Sequence, residues 1–317
     1  MNNKTIAISD CDHLYMAEEQ AVCDRYGLDY VLFQCKTEDD LIERLPGYAA
    51  VVNQYAPFTE RVFSALPELK MVVRYGVGVN NIDLEAASRH HVVVCNVPDY
   101  GVQEVAAHAF ALMMALTRKI VRMDASVKRG EWEYARSIPI RRYSEMTFGV
   151  VGLGRIGTCF AEMLRPFGGR ILGCDINPKQ PIPSFVEPVD FETLVHESDV
   201  ISLHCNLETS RNLMNLDVLR QMKPEAVLIN VSRGGIVNEH DLAVALNDGL
   251  IAGAGIDVTV REPLEPESLL LSARNIILTP HMAWYSEEAS SSLKTKTAEE
   301  AARFLTGKPL LNAVNRF

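Results

Sequence analysis

Short β-branched or aliphatic runs alternate with amphipathic segments along almost the whole chain. In the first third the runs fall at 6–8, 30–33, 50–52, 71–73 and 92–94, and the segments between them, 14–26, 39–45, 60–66 and 83–89, carry apolar residues at helical spacing. Strands separated by crossover helices are expected from such alternation, and with them a small parallel α/β sheet. The proline- and glycine-bearing stretch 96–101 interrupts the pattern, and the first domain crossing is expected there.

Residues 102–128 are rich in Ala, Leu and Met and apolar on more than one face, which predicts a single long helix. Such a helix is either buried inside its own domain or half buried at a subunit contact, and its all-round apolarity favours the second, a homodimer. Further runs at 170–174, 200–203, 227–231, 253–258 and 276–278, with helices between, predict a doubly wound sheet. The ligand crevice of such a sheet lies outside the carboxyl ends of its strands. The polar residues just past those ends are Asp175, His204, Arg233, Asp257, Glu262 and His281. From 286 to 305 an Ala-, Glu-, Lys- and Ser-rich helix is expected to return to the first domain, ended by Gly307, Lys308 and Pro309.

The stretch 147–175 changes this picture from a fold to a binding site. An apolar run ends at Val150 and Val151, and Gly152, Gly154 and Gly157 form G-x-G-x-x-G. Ile156, Phe160, Met163 and Leu164 follow at helical spacing. Gly152 permits a tight turn, Gly154 keeps side chains away from a pyrophosphate, and Gly157 lets the helix lie close on its strand. Arg155 and Ile156 open the helix whose N-terminal dipole favours phosphate. About 20 residues on, Asp175 is placed to accept hydrogen bonds from ribose hydroxyls, which favours NAD over a cofactor with a ribose phosphate there. Lys179 is the nearby cation that could answer such a phosphate. The expected fold is therefore α/β with two domains, a doubly wound Rossmann-type NAD-binding domain (99–285) inserted into a smaller flavodoxin-like substrate domain (1–98 and 286–317), and an active-site cleft between them.

Composition narrows the partners. A length of 317 residues with 48% hydrophobic residues suits two globular domains. A formal charge of -10 repels phosphate backbones and anionic lipid, so neither direct nucleic-acid binding nor a membrane is expected. Seven scattered cysteines with no C-x-x-C pair read as reduced thiols in a cytoplasmic protein, and no metal-ligand spacing occurs.

Arg233 follows a strand and is flanked by glycines, so its guanidinium could clamp a substrate carboxylate through two hydrogen bonds. A lone histidine such as His281 is more often structural than catalytic. Glu262 offers it a partner, and a carboxylate bonded to an imidazole favours the charged form that can donate a proton near neutral pH.

With these residues in hand, the chain resembles the D-isomer-specific 2-hydroxyacid dehydrogenases along essentially its full length. The resemblance rests on 76–83 (GVGVNNID), 96–98 (NVP) with 104–106 (EVA), the Gly152 to Gly157 turn, 222–224 (MKP), 233–235 (RGG), 255–258 (GIDV), 262–263 (EP) and 279–281 (TPH). It implies catalytic roles for Arg233, Glu262 and His281, and a carboxylate-binding loop around Val77 and Gly78. It also implies a contact of Asp257 with the nicotinamide amide and pyrophosphate contacts along Arg155 and Ile156. His204 and His108 match too and are read as structural. Trp284 and Tyr75 are candidates to line the substrate's side-chain pocket. The implied activity is NAD-dependent interconversion of a 2-keto acid and a D-2-hydroxy acid. Asn238 stands where the family usually has aspartate, and Asn206 where proline is frequent. The stretch 281–286 (HMAWYS) is more similar to the C-terminal-binding-protein branch, which keeps open an NAD(H)-sensing scaffold or transcriptional co-regulator. The complete Arg, Glu and His set favours an enzyme.

Overall fold

A computed structural model describes residues 4–176, 178 and 181–317. Lys179 lies outside the described residues. The chain divides into two compact units, Met1–Gly101 with Ser286–Phe317, and Val102–Tyr285.

The first unit holds β1 (Thr5–Ile8), β2 (Asp29–Leu32), β3 (Ala50–Asn53), β4 (Met71–Arg74) and β5 (Val93–Cys95), all parallel, in the order β2-β1-β3-β4-β5. This is the flavodoxin-like order, with its switch point between β1 and β3. All four residues of β3 are buried, as expected of a parallel strand covered on both faces. Val51, Val72 and Val94 pack with Leu41, Phe58 and Phe63 in one of its cores. Helix Glu287–Leu305 is capped by Ser286, whose hydroxyl accepts the Ala289 N–H, and packs on β3 and β4 through a side that includes Ala289, Leu293, Thr297 and Ala301.

The second unit holds β6 (Thr147–Val151), β7 (Arg170–Cys174), β8 (Glu187–Pro188), β9 (Val200–Leu203), β10 (Val227–Asn230), β11 (Gly253–Ile256) and β12 (Ile276–Leu278). They form one parallel sheet ordered β12-β11-β10-β9-β6-β7-β8, a doubly wound arrangement that reverses between β6 and β9. Alternate residues feed separate cores on the two faces: Phe148, Val150 and Ile229 on one, Ile201, Leu203 and Leu228 on the other. The edge strand β8 carries no readable pattern, being two residues long and including a proline that only an edge tolerates.

The long helix expected over 102–128 is two helices, Val102–Thr117 and Ile120–Lys128. Thr117 turns its hydroxyl back to the Met113 carbonyl, and Lys119 takes a left-handed φ of 56°, which redirects the chain. The apolar character of Val102–Thr117 is used inside its own unit. It buries Ala106, Ala109, Leu112 and Met113 against the sheet and helix Arg155–Leu164. Gly255 of β11 allows this approach, since a Cβ there would stand 2.9 Å from that of Leu112. Among the described residues no helix is long and apolar enough to cross a membrane.

Candidate active site

The carboxyl ends of the second unit's strands carry the glycine-rich turn and the polar set together. Gly152 ends β6 with a φ of 92°, and a Cβ on it would lie 2.6 Å from the His204 carbonyl oxygen. Both facts demand glycine. At Gly157 a Cβ would overlap the Gly152 carbonyl, which sets how closely helix Arg155–Leu164 lies on the turn. Gly154 differs. Its φ of -70° suits any residue, and a Cβ would meet no atom within 4 Å, so only something outside the chain has use for the room. With Gly154 as N-cap, Arg155 and Ile156 form the helix start, where unpaired N–H groups favour a phosphate anion. These residues fit a dinucleotide pyrophosphate.

Asp175, past β7, accepts the Leu153 N–H at 2.7 Å and so also braces the turn. Beneath it His204 is half-buried, its Nε2 2.8 Å from the Ser202 hydroxyl and its ring against Phe160. Burial drives its pKa down to about 3, so it stays neutral and packs.

Arg233 leaves β10 through a turn organised by Asn230, a fully buried residue that spacing alone did not single out. Its side chain donates to the Arg233 carbonyl at 2.9 Å and accepts the Ser232 N–H at 3.1 Å. The available signal was a polar residue closing an otherwise apolar strand. A Cβ on Gly234 would overlap the Thr259 backbone, so this turn lies directly against the loop bearing Glu262.

Glu262 and His281 meet, Oε2 to Nδ1, at 2.6 Å. Glu262 Oε1 accepts the Thr259 N–H at 3.0 Å. Burial pushes the Glu262 carboxyl upward. The His281 hydrogen bond and charge, the Thr259 N–H and the Arg233 charge together outweigh it and hold the group below its usual range. The contact engages Nδ1 and leaves Nε2 as the ring's other polar atom.

His281 adopts a left-handed φ of 51°, an uncommon conformation for a side-chain-bearing residue. Asp257 stabilises it. This buried carboxylate accepts the Thr279 hydroxyl at 2.6 Å, the Met282 N–H at 3.0 Å and the Ala283 N–H at 2.9 Å, and its own carbonyl accepts the His281 N–H at 2.8 Å. Charge-assisted bonds worth about 1.5–3 kcal/mol each suffice to offset strain of about 1–3 kcal/mol. His108 completes the cluster, 3.0 Å from the Thr279 hydroxyl. Trp284 is half buried and edge-on to Tyr285. Asn206 and Asn238 both cap helices, accepting the N–H of Thr209 and Asp241.

Val77 and Gly78 lie in the first unit, in the loop after β4. The Gly76 carbonyl accepts the Val97 N–H at 2.9 Å and the Val77 carbonyl accepts the Asn96 amide at 2.6 Å. Because a trans peptide points its N–H opposite its C=O, the Val77 and Gly78 N–H groups both face away from that segment. Tyr75, expected to line a pocket, is 3% exposed and donates its hydroxyl to Glu19, so it supports the loop from within. Among the described residues no group of three or more His, Cys, Asp or Glu is arranged to hold a metal.

A doubly wound unit with a phosphate-binding turn and an Arg, Glu and His set at its strand ends has the make-up of a nicotinamide-dependent dehydrogenase. The model of the family described as D-isomer specific 2-hydroxyacid dehydrogenase, NAD binding domain, matches residues 110–283, more than half of the chain, and the chain belongs to this family. The chain is 39% identical over 283 residues to D-3-phosphoglycerate dehydrogenase of Synechocystis, which covers 88% of this chain but only 51% of that protein, so the chain spans about half its length. It is 34% identical to glycerate dehydrogenase of Methylorubrum extorquens, covering 86% of this chain and 88% of that one. Among solved structures, an acyclic imino acid reductase in complex with NADPH and D-Arg superposes with a TM-score of 0.88 at 28% identity, covering 98% of this chain and 99% of the other.

Proposed function

We propose that the chain interconverts a 2-keto acid and a D-2-hydroxy acid with NAD, and that the paired Glu262 and His281, 2.6 Å apart, form its acid-base centre. The bound cofactor supplies or accepts the hydride. Arg233 binds the substrate carboxylate and polarises its carbonyl, and the first unit's Val77 and Gly78 are assigned as a loop whose N–H groups bind a carboxylate. Proton delivery from His281 Nε2 prevents negative charge from accumulating on the carbonyl oxygen, and Glu262 orients the ring and balances its charge. Asp257, besides its loop bonds, is assigned to the nicotinamide amide, Asp175 to the ribose and Trp284 to the substrate's side chain. The relatives' names span glycerate and phosphoglycerate chemistry, so the substrate is proposed only as a 2-keto or 2-hydroxy acid. The test is oxidation of NADH and NADPH against glyoxylate, pyruvate, hydroxypyruvate and phenylpyruvate. Turnover of at least one acid, with a clear preference for NADH set by Asp175, is expected. Tight NADH binding without any turnover would overturn the enzyme reading.

We also propose a two-fold dimer formed through the segment after Lys119. Trp132 and Tyr134 are 85% and 83% exposed, and Ile120, Val121 and Ile138 stand out near them. A cavity of about 900 Å³ at the amino ends of β10 to β12 is lined partly by this same segment. Of its cations, Arg141 and Lys223 both pair with Asp199, while Lys119 and Arg122 belong to the same exposed segment. Light scattering should give the mass of two chains at micromolar concentration, and Trp132→Ala with Tyr134→Ala should halve it. A monomeric parent protein would refute the contact.

A further inference from the structure

A carboxylate with no part in this chemistry is buried in the first unit. Glu19, on helix Ala17–Tyr26, is 1% exposed. Its Oε1 accepts the Tyr75 hydroxyl at 2.8 Å and lies 3.0 Å from His13 Nε2, and its Oε2 is buried with no hydrogen-bond partner. Burying an ionised carboxylate is costly unless a charge and hydrogen bonds answer it. His13 supplies the charge. Burial opposes its protonation, but hydrogen bonds and charge from Cys11 and Glu19 outweigh that and raise its pKa to about 9, and its ring stands edge-on to Tyr75 with centroids 5.2 Å apart. One carboxylate thus joins three elements: its helix, the segment after β1 that carries His13, and the root of the loop after β4.

The root is what matters. Tyr75 directly precedes Gly76, Val77 and Gly78, and its own N–H is held by the Asn53 carbonyl at 2.8 Å. The far side of the loop is held by Asn96 and Val97 through two backbone carbonyls. With Tyr75 tied at both backbone and hydroxyl, the peptide planes that aim the Val77 and Gly78 N–H groups have little freedom to rotate. Without the Glu19 tie, the Tyr75 side chain is released and the root keeps only its backbone bond to Asn53.

We infer that Glu19 is a positioning residue for substrate binding, acting through Tyr75 to fix the direction of the Val77 and Gly78 N–H groups. This rests on the reading of that loop as the carboxylate-binding loop. It also explains why a buried acid is kept where an apolar residue would pack at lower cost.

Tyr75→Phe removes the hydroxyl and nothing else. It should raise the KM for the keto acid by about 3- to 30-fold, the range expected when charge-assisted hydrogen bonds are misaligned rather than lost. The effect on kcat should be smaller, and the KM for NADH should not move. Oxamate, a keto-acid-shaped anion, should lose affinity by the same factor in calorimetry, a readout that needs no turnover. Glu19→Leu, which removes the acceptor of the Tyr75 hydroxyl, carries the same expectation should Tyr75→Phe fail to fold. Val77→Pro, which deletes one N–H of the loop, separates the two claims. If it weakens oxamate binding and neither Tyr75→Phe nor Glu19→Leu does, the Glu19 inference is overturned while the loop reading stands. If Val77→Pro leaves oxamate affinity unchanged, the loop reading itself fails, and the inference with it. A lower melting temperature with unchanged KM and oxamate affinity would mark Glu19 as merely structural.

Discussion

His281→Ala is expected to lower kcat for keto-acid reduction by roughly 10²- to 10⁴-fold, the usual contribution of general acid catalysis, with NADH binding largely kept. The side chain's role is local. Its Nδ1 is engaged by Glu262 at 2.6 Å, so on the proposed assignment alanine removes the proton donor and leaves the glycine-rich turn intact. Glu262→Gln is expected to act through pH. Because the Glu262 carboxyl is held below its usual range, its charge is present above that depressed value and lost only as the pH falls through it. Over the working range the native pair therefore keeps its negative partner, and glutamine withdraws it. Glutamine resembles the protonated acid, so the variant should reduce the keto acid more slowly than the parent at every pH above the depressed Glu262 value, and the gap should close as the pH falls through it, while the pair's shape persists. Stopped-flow NADH oxidation across pH checks both variants. Near-normal turnover of His281→Ala throughout would overturn the acid-base assignment.

Arg233→Ala should lower kcat/KM by about 10²- to 10⁴-fold, since two charge-assisted hydrogen bonds of about 1.5–3 kcal/mol each are lost and every 1.36 kcal/mol is a factor of ten. The loss should be divided between KM and kcat, because a guanidinium that binds the carboxylate and polarises the carbonyl acts in both ground and transition states. Arg233→Lys should recover little. A lysine supplies a point charge, whereas the turn held by Asn230 presents a planar fork. Steady-state kinetics on a turned-over keto acid decide the matter, and a variant altered in KM alone would reduce Arg233 to a binding group.

Much of this was legible because it is local. The apolar runs marked nearly every strand of both sheets, since a parallel strand covered on both faces is mostly apolar along its length. Gly152 and Gly157 were readable because a turn and a close helix approach each exclude a Cβ over a span of a few residues. Gly154 could be read only together with the ligand it makes room for. The break at Lys119 was hidden, as the residues on both sides of it form helix readily and only packing gave the two halves different directions.

What the sequence by itself determined is the alternation of strands and helices, the nucleotide turn and the family. These depend on periodicity and on residue types a few positions apart, where chain connectivity already supplies the proximity. Tertiary structure alone decided which polar groups meet. Asp257 holds the left-handed His281 across 24 residues, Asn230 organises the Arg233 turn, and Glu19 reaches Tyr75 across 56 residues to brace a loop on another strand. Such pairings cost loop-closure entropy that only the buried sheets repay, so no local pattern records them.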